Sequence, residues 1–324
     1  MASPIHHDPR GGFRNPWPET APRGLADLFR WSVERNFTRR PPPDPDPSVF
    51  ASASPRFGVA PDGGGLAVTW IGHSTTVIEL DGFTALTDPI WSRYPSPVPA
   101  SGLRRWVAPP VALEALPAID LVLVSHNHYD HLDGPTVRRL AALQPGACWC
   151  TPLGNGALLR RWGARKVIEL DWWGESSIGR ARVACVPAQH FSARGLHDRN
   201  RALWGGFTVR VGGRSVYFAG DTGYHPEFGA VGARYGPFDV LMIPIGAYEP
   251  RWFMRVVHMN PEEAVTAFGE LGGGILVPIH WGTFKLTDEP MDEPPRRARE
   301  AWAAAGLDPE RLWLFRHGET RATT

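Results

Sequence analysis

Cysteine, charge of one sign and long apolar runs are what this chain has little of, and each shortage removes a class of protein. Three cysteines in 324 residues, two of them only one residue apart at Cys148 and Cys150, give no disulfide framework and point to a reducing compartment. Thirty-four Lys and Arg against 33 Asp and Glu leave a formal charge of +1, so no basic field argues for a nucleic-acid partner. No stretch approaches the roughly 18 consecutive apolar residues of a spanning helix, and the opening MASPIHHDPRGG lacks the apolar core of a secretory signal. A cytoplasmic chain, peripheral at most on a membrane, is therefore expected. No G-x-S-x-G elbow occurs, which disfavours a serine hydrolase. Proline is abundant instead: 33 residues, about twice the usual 5%, imply many fixed turns. Hydrophobic residues at 43% and charged residues at 21% are enough for a packed core.

Residues 1–60 lack strand patterning and contain the proline-rich run from Pro41 to Pro47. Within them Leu25, Leu28, Phe29, Val33 and Phe37 recur near helical spacing, accompanied by Arg30, Arg35, Arg39 and Arg40. We read 1–60 as an extension that wraps the domain or contacts lipid, and 61–324 as the folded domain. From Leu66 the pattern turns to short apolar runs: LAVTWI (66–71), TVIEL (76–80), FTALT (83–87), IDLVLV (119–124) and ACWCT (147–151). A second series runs through KVIEL (166–170), ARVACV (181–186), GGFTVRV (205–211), RSVYFAG (214–220), DVLMIPI (239–245), GILVPIH (274–280) and RLWLF (311–315). Helical stretches near 135–143, 261–271 and 294–305 separate them, so an α/β protein with two sheets inside helices is predicted.

The segment Ser125-His126-Asn127-His128-Tyr129-Asp130-His131 directly follows an apolar strand. In extended backbone alternate side chains share a side, so His126, His128 and Asp130 face one way, and the following turn swings His131 in. Imidazoles and carboxylates suit zinc, iron or manganese. His190, Asp221 and His280 each close a later apolar run, the place where an α/β sandwich collects its site residues. Five histidines and two aspartates suffice for two metals sharing a carboxylate and a bridging hydroxide.

This pattern resembles the metallo-β-lactamase superfamily. Further motifs resemble, within it, the N-acylphosphatidylethanolamine-hydrolysing phospholipase D family: Asn15-Pro-Trp-Pro18, Trp70-Ile-Gly-His73, Ala219-Gly-Asp-Thr-Gly-Tyr224, Gly246 to Met254 (GAYEPRWFM), Asn260-Pro-Glu-Glu-Ala264, His280-Trp-Gly-Thr283 and His317-Gly-Glu319. The resemblance implies an αββα sandwich of two mixed β-sheets packed between helices, a metallo-β-lactamase-fold hydrolase domain. It implies a first metal on His126, His128 and His190, a second on Asp130, His131 and His280, and Asp221 bridging both. Two zinc ions are expected, with iron or manganese as alternatives. The implied reaction is phospholipase D-type cleavage of a phosphodiester to phosphatidic acid and an N-acylethanolamine, by attack of the bridging hydroxide. Asp130, Asp221 and His258 are the expected catalytic residues, His258 matching a family histidine ahead of its x-Pro-Glu-Glu-Ala segment. Val257 stands where the family's animal members place a glutamine. A hydrolase of another ester, such as a lactone or a soluble phosphodiester, is the alternative. Partners compatible with the sequence are a phospholipid or other ester substrate, a peripheral membrane surface and a second copy of the chain, but not nucleic acid. His73 is read as a hydrogen-bonded structural residue rather than a ligand.

Overall fold

Short runs of β-branched and large apolar residues, cut by glycine, aspartate and proline, form the strands. The computed structural model describes residues 4–18, 20, 23–60, 65–98 and 103–323, so the expected boundary at 60/61 abuts residues outside the described ones. Strands β1 (Leu66–Gly72), β2 (Thr75–Leu80) and β3 (Phe83–Thr87) form an antiparallel meander. Asp81 and Gly82, both at positive φ, make the two-residue turn between β2 and β3, the backbone that a tight right-twisted hairpin requires. Strands β4 (Leu121–Leu123), β5 (Cys148–Pro152) and β6 (Lys166–Leu170) then add in parallel, joined by helices α2 (Gly134–Leu143) and α3 (Gly156–Arg161).

The second sheet begins with β7 (Glu175–Ile178), β8 (Ala181–Val186), β9 (Gly206–Val211) and β10 (Arg214–Phe218), all antiparallel neighbours. Strands β11 (Val240–Pro244) and β12 (Ile275–Ile279) join in parallel. Helices α4 (Phe228–Tyr235), α5 (Arg251–Met254), α6 (Pro261–Glu270) and α7 (Glu293–Ala304) intervene or follow. Strand β13 (Thr320–Thr323) returns to pair with β1, giving the orders β13-β1-β2-β3-β4-β5-β6 and β12-β11-β10-β9-β8-β7. The expected strand at 311–315 does not form: Pro309–Arg311 is a 3-10 turn and only Leu312 bridges to Leu276. Its Trp313 and Phe315 still enter the core, which is why the segment reads as a strand.

Trp70, Ile78, Leu123, Trp204, Phe207 and Phe218 interlock between the sheets. Each fully buried side chain of this kind stabilises the fold by about 1.5–3 kcal/mol. Leu132, Val137, Leu140 and Leu159 from α2, α3 and the preceding loop cover the outer face of the first sheet, while Phe228, Val231, Phe268 and Trp302 from α4, α6 and α7 cover that of the second. Two mixed sheets therefore lie between helical layers, with the C-terminal ends of β3, β4, β8, β10, β11 and β12 opening on one edge.

The extension contacts this frame at separate points. Asn15 Nδ2 donates to the His190 carbonyl at 2.9 Å, and Trp17 stacks on His225 with ring centroids 4.8 Å apart. Helix α1 (Leu25–Val33) is held by Trp31, whose Nε1 donates to Asp288, and by Glu34, which accepts from Trp252 Nε1. The apolar stripe of this helix and the turn after it takes no part: Leu25 is 85% exposed, Phe29 72% and Phe37 80%. Among the described residues no helix is long and apolar enough to cross a membrane.

Candidate metal centre

The seven expected metal ligands and His258 meet at the open edge. The loop after β4 delivers His126, His128, Asp130 and His131, the end of β8 leads to His190, that of β10 to Asp221 and that of β12 to His280. His258 comes from the turn between α5 and α6. Asp221 Oδ2 is the hub: it lies 3.0 Å from His131 Nε2, 3.1 Å from His280 Nε2, 3.8 Å from His190 Nε2 and 4.0 Å from both His126 Nε2 and His258 Nε2.

Around that oxygen the donors fall into two lobes. In the first, His126 Nε2 and His190 Nε2 stand 2.8 and 3.1 Å from His128 Nδ1. Burial, reinforced by the neighbouring imidazoles, holds His126 well below its ordinary pKa and His128 down to about 3. Burial likewise takes His190 down to about 4, so this lobe presents neutral nitrogens. In the second, Asp130 Oδ2 lies 3.3 Å from His131 Nε2 and 3.6 Å from His280 Nε2. Burial opposes a charge on these imidazoles, but Asp221 and Asp130 outweigh it, lifting His131 well above its ordinary pKa and His280 to about 9. Burial also raises Asp130 and Asp221, yet His131 and its neighbours prevail and hold both carboxyls well below the usual range.

Outer hydrogen bonds aim these rings. His190 Nδ1 donates to the Val257 carbonyl at 2.9 Å, so the position where a glutamine was expected contributes through its backbone. His126 Nδ1 meets Ser125 Oγ at 2.9 Å, and His131 Nδ1 meets Asp88 Oδ2 at 2.6 Å. With Nδ1 occupied, each Nε2 is left facing the centre. Asp88 is fixed in turn by the Ser125 N–H and Oγ at 2.7 and 2.6 Å. It is a site residue the sequence reading missed, although it closes the FTALT run just as Asp221 closes RSVYFAG. His73 is also drawn in: its Nε2 lies 3.0 Å from Asp130 Oδ2, and its ring packs on His280 at 4.1 Å. Its φ of 54° is the left-handed region that a side chain enters only when its surroundings enforce it. Here the Thr283 hydroxyl accepts its N–H at 2.7 Å.

Several buried atoms of the centre have no hydrogen-bond partner: His131 Nε2, both ring nitrogens of His280, His258 Nδ1 and Asp221 Oδ1. Unpaired buried polar atoms are costly. Nitrogen and oxygen donors that converge without hydrogen-bond geometry fit a divalent cation, and the His/Asp donor set suits zinc, iron or manganese. His73, Asp130, His131 and His280 form one group able to hold an ion, His126, His128 and His190 another.

A two-sheet sandwich with this edge cluster defines a metal-dependent hydrolase of the metallo-β-lactamase fold. Residues 84–281 match the Beta-lactamase superfamily domain. The chain is 39% identical over 297 residues to the N-acyl-phosphatidylethanolamine-hydrolyzing phospholipase D 1 of Caenorhabditis elegans, spanning 86% of this chain and 82% of that one. It is 44% identical over 303 residues to an uncharacterized protein of Mycobacterium tuberculosis, spanning 91% and 78%. Among solved structures, the isothiocyanate hydrolase from Delia radicum gut bacteria aligns with a TM-score of 0.63 at 20% identity, over 80% of this chain and 99% of that one. The metallo hydrolase Igni18 of Ignicoccus hospitalis aligns with a TM-score of 0.60 at 23% identity over the same shares; both show the shared fold. The chain belongs to the N-acylphosphatidylethanolamine-hydrolysing phospholipase D family of the metallo-β-lactamase superfamily.

Proposed function

We propose that the protein is a dinuclear phosphodiesterase that cleaves N-acylated ethanolamine phospholipids into phosphatidic acid and N-acylethanolamine. The observation that carries this reading is Asp221 Oδ2, placed between a three-histidine lobe and a mixed lobe. His126, His128 and His190 would hold one ion, Asp130, His131 and His280 the other, and Asp221 both, with zinc favoured by the donor set and iron or manganese also compatible. Bound there, two such ions would supply a water of lowered pKa, about 7, and offset charge on phosphate oxygens. The chain's own residues do the rest. His258 is held neutral by burial, its pKa well below the ordinary value. A neutral imidazole donates a hydrogen bond to the phosphate or the leaving oxygen without adding a like charge beside two cations. Asp130, braced by His73, keeps His131 and His280 turned to the centre. The similarity to the Caenorhabditis elegans enzyme over most of both chains supports the choice of substrate.

A lipid substrate calls for a surface that meets lipid. The exposed stripe of Leu25, Phe29 and Phe37 on α1 and the turn after it, beside Arg35, Arg39 and Arg40, suits an interface that takes apolar side chains and attracts cations. Incubation of the metal-loaded protein with N-acylphosphatidylethanolamine should release phosphatidic acid and N-acylethanolamine in equal amounts by mass spectrometry. Neither product, with rapid opening of a lactone or hydrolysis of a soluble phosphodiester by the same preparation, would move the assignment to that second substrate class.

A further inference from the structure

A second group of metal-type donors lies where the extension meets the chain just past β6. His6 Nε2 stands 2.7 Å from Asp171 Oδ1 and His7 Nε2 stands 2.8 Å from Asp171 Oδ2. The donor atoms of these three residues all lie within 4.8 Å of one another. None belongs to the centre described above.

Each member is held in place before any ion arrives. The His6 ring is buried and stacks on Trp172 at 4.4 Å, and the His7 ring meets Phe13 edge-on at 5.1 Å. The Trp172 N–H donates to Asp171 Oδ1 at 2.9 Å and orients the carboxylate. A backbone bridge between His7 and Phe13, with the Phe13 N–H on the Asn200 carbonyl at 2.8 Å, fixes the loop that presents both imidazoles. Two imidazoles and a carboxylate form a donor set for zinc and its first-row neighbours, with the fourth position left to water. His7 and Asp171 are part-exposed, so an ion can enter from solvent.

We propose that His6, His7 and Asp171 bind a divalent transition-metal ion of the zinc class, separate from the hydrolytic centre, that ties the start of the extension to the domain. To receive the ion, each imidazole moves the proton that bonds Asp171 from Nε2 to Nδ1 by exchange with solvent, which frees the Nε2 lone pair. The ion thereby replaces two hydrogen bonds to the carboxylate with three coordinate bonds. The tied segment leads to Asn15, which donates to the His190 carbonyl, and to Trp17 on His225. Occupancy therefore stiffens one wall of the hydrolytic centre from outside it.

The full-length protein tests this by two readouts that do not depend on turnover. His6→Gln/His7→Gln keeps hydrogen-bond donors facing Asp171 but removes the better ligands. After zinc loading and gel filtration, elemental analysis should find one ion more per chain in wild type than in this variant, whatever the centre holds. Zinc should also slow amide exchange in residues 4–18 by about tenfold or more in wild type and leave it unchanged in the variant. Equal metal content in the two proteins, or exchange unaffected by zinc in wild type, would mean that the histidines only hydrogen-bond to Asp171, and would overturn the proposal.

Discussion

Asp221 faces two lobes that differ in charge rather than in shape. His126, His128 and His190 are imidazoles kept neutral by burial, which outweighs the pull of Asp221 and its neighbouring carboxylates. Around His131 and His280 stand Asp130, Asp221 and Asp88, so protons are favoured on these rings, at the place of the proposed second ion. The first lobe is therefore ready for a metal at neutral pH, whereas the second must give up protons to receive one. The supports differ in the same way. The first lobe is aimed by a backbone carbonyl and a serine, the second by the buried side chains of Asp88, His73 and Thr283.

Removing the shared group should produce the largest effect. Asp221→Ala should empty both lobes and lower turnover by about 10³-fold or more; retention of one ion at full affinity, measured by elemental analysis, would show that the lobes do not depend on it. His258→Ala should lower turnover by about 10²-fold with metal content intact. Its proximity to His190 and Asp221 makes loss of an ion the contrary result, which would turn His258 into a ligand. His73→Ala should weaken the mixed lobe about 10–100-fold and leave the histidine lobe unchanged in a competitive chelator titration. Equal weakening of both lobes would erase the distinction between their supports.

Proton linkage separates the lobes further. A raised pKa means that metal uptake displaces a proton, so affinity at the mixed lobe should strengthen as pH rises towards the pKa of about 9 held by His280, up to about tenfold per unit for each proton displaced. The histidine lobe, whose imidazoles lose their protons well below neutrality, should be flat from about pH 6 upwards. Isothermal titration in buffers of different ionisation heat reads the protons released; equal release at both steps would contradict the comparison. The smallest effect belongs to the extension. Leu25→Ser/Phe29→Ser should reduce co-sedimentation with anionic vesicles several-fold while metal content and hydrolysis of a soluble diester stay the same.

The histidine lobe was legible because its residues close apolar runs, and strand ends are where side chains of an α/β sandwich converge. Asp221 and His280 were legible for the same reason. Asp88 follows the same rule but carries no neighbouring histidine to draw attention to it. His73 was read as a hydrogen-bonded structural residue, and it bonds Asp130; which group it would meet was not legible, because that depends on a left-handed backbone that brings the β1–β2 turn over Asp130, a tertiary fact. The helix around Leu25 showed its amphipathic period, but period alone does not say which face docks. Trp31 and Glu34 hold it, and the apolar stripe is left to solvent. The link from His6 and His7 to Asp171 spans more than 160 residues and leaves no local pattern at all.

The shared-carboxylate arrangement is tested most directly by counting ions in single-lobe variants, made in the His6→Gln/His7→Gln background so that the site at Asp171 does not contribute. Native mass spectrometry of the zinc-reconstituted chain should show two ions with both lobes intact, one in His190→Ala and one in His280→Ala, and none in Asp221→Ala. A single ion in the intact centre, or loss of the same ion in His190→Ala and His280→Ala, would contradict the two-lobe reading.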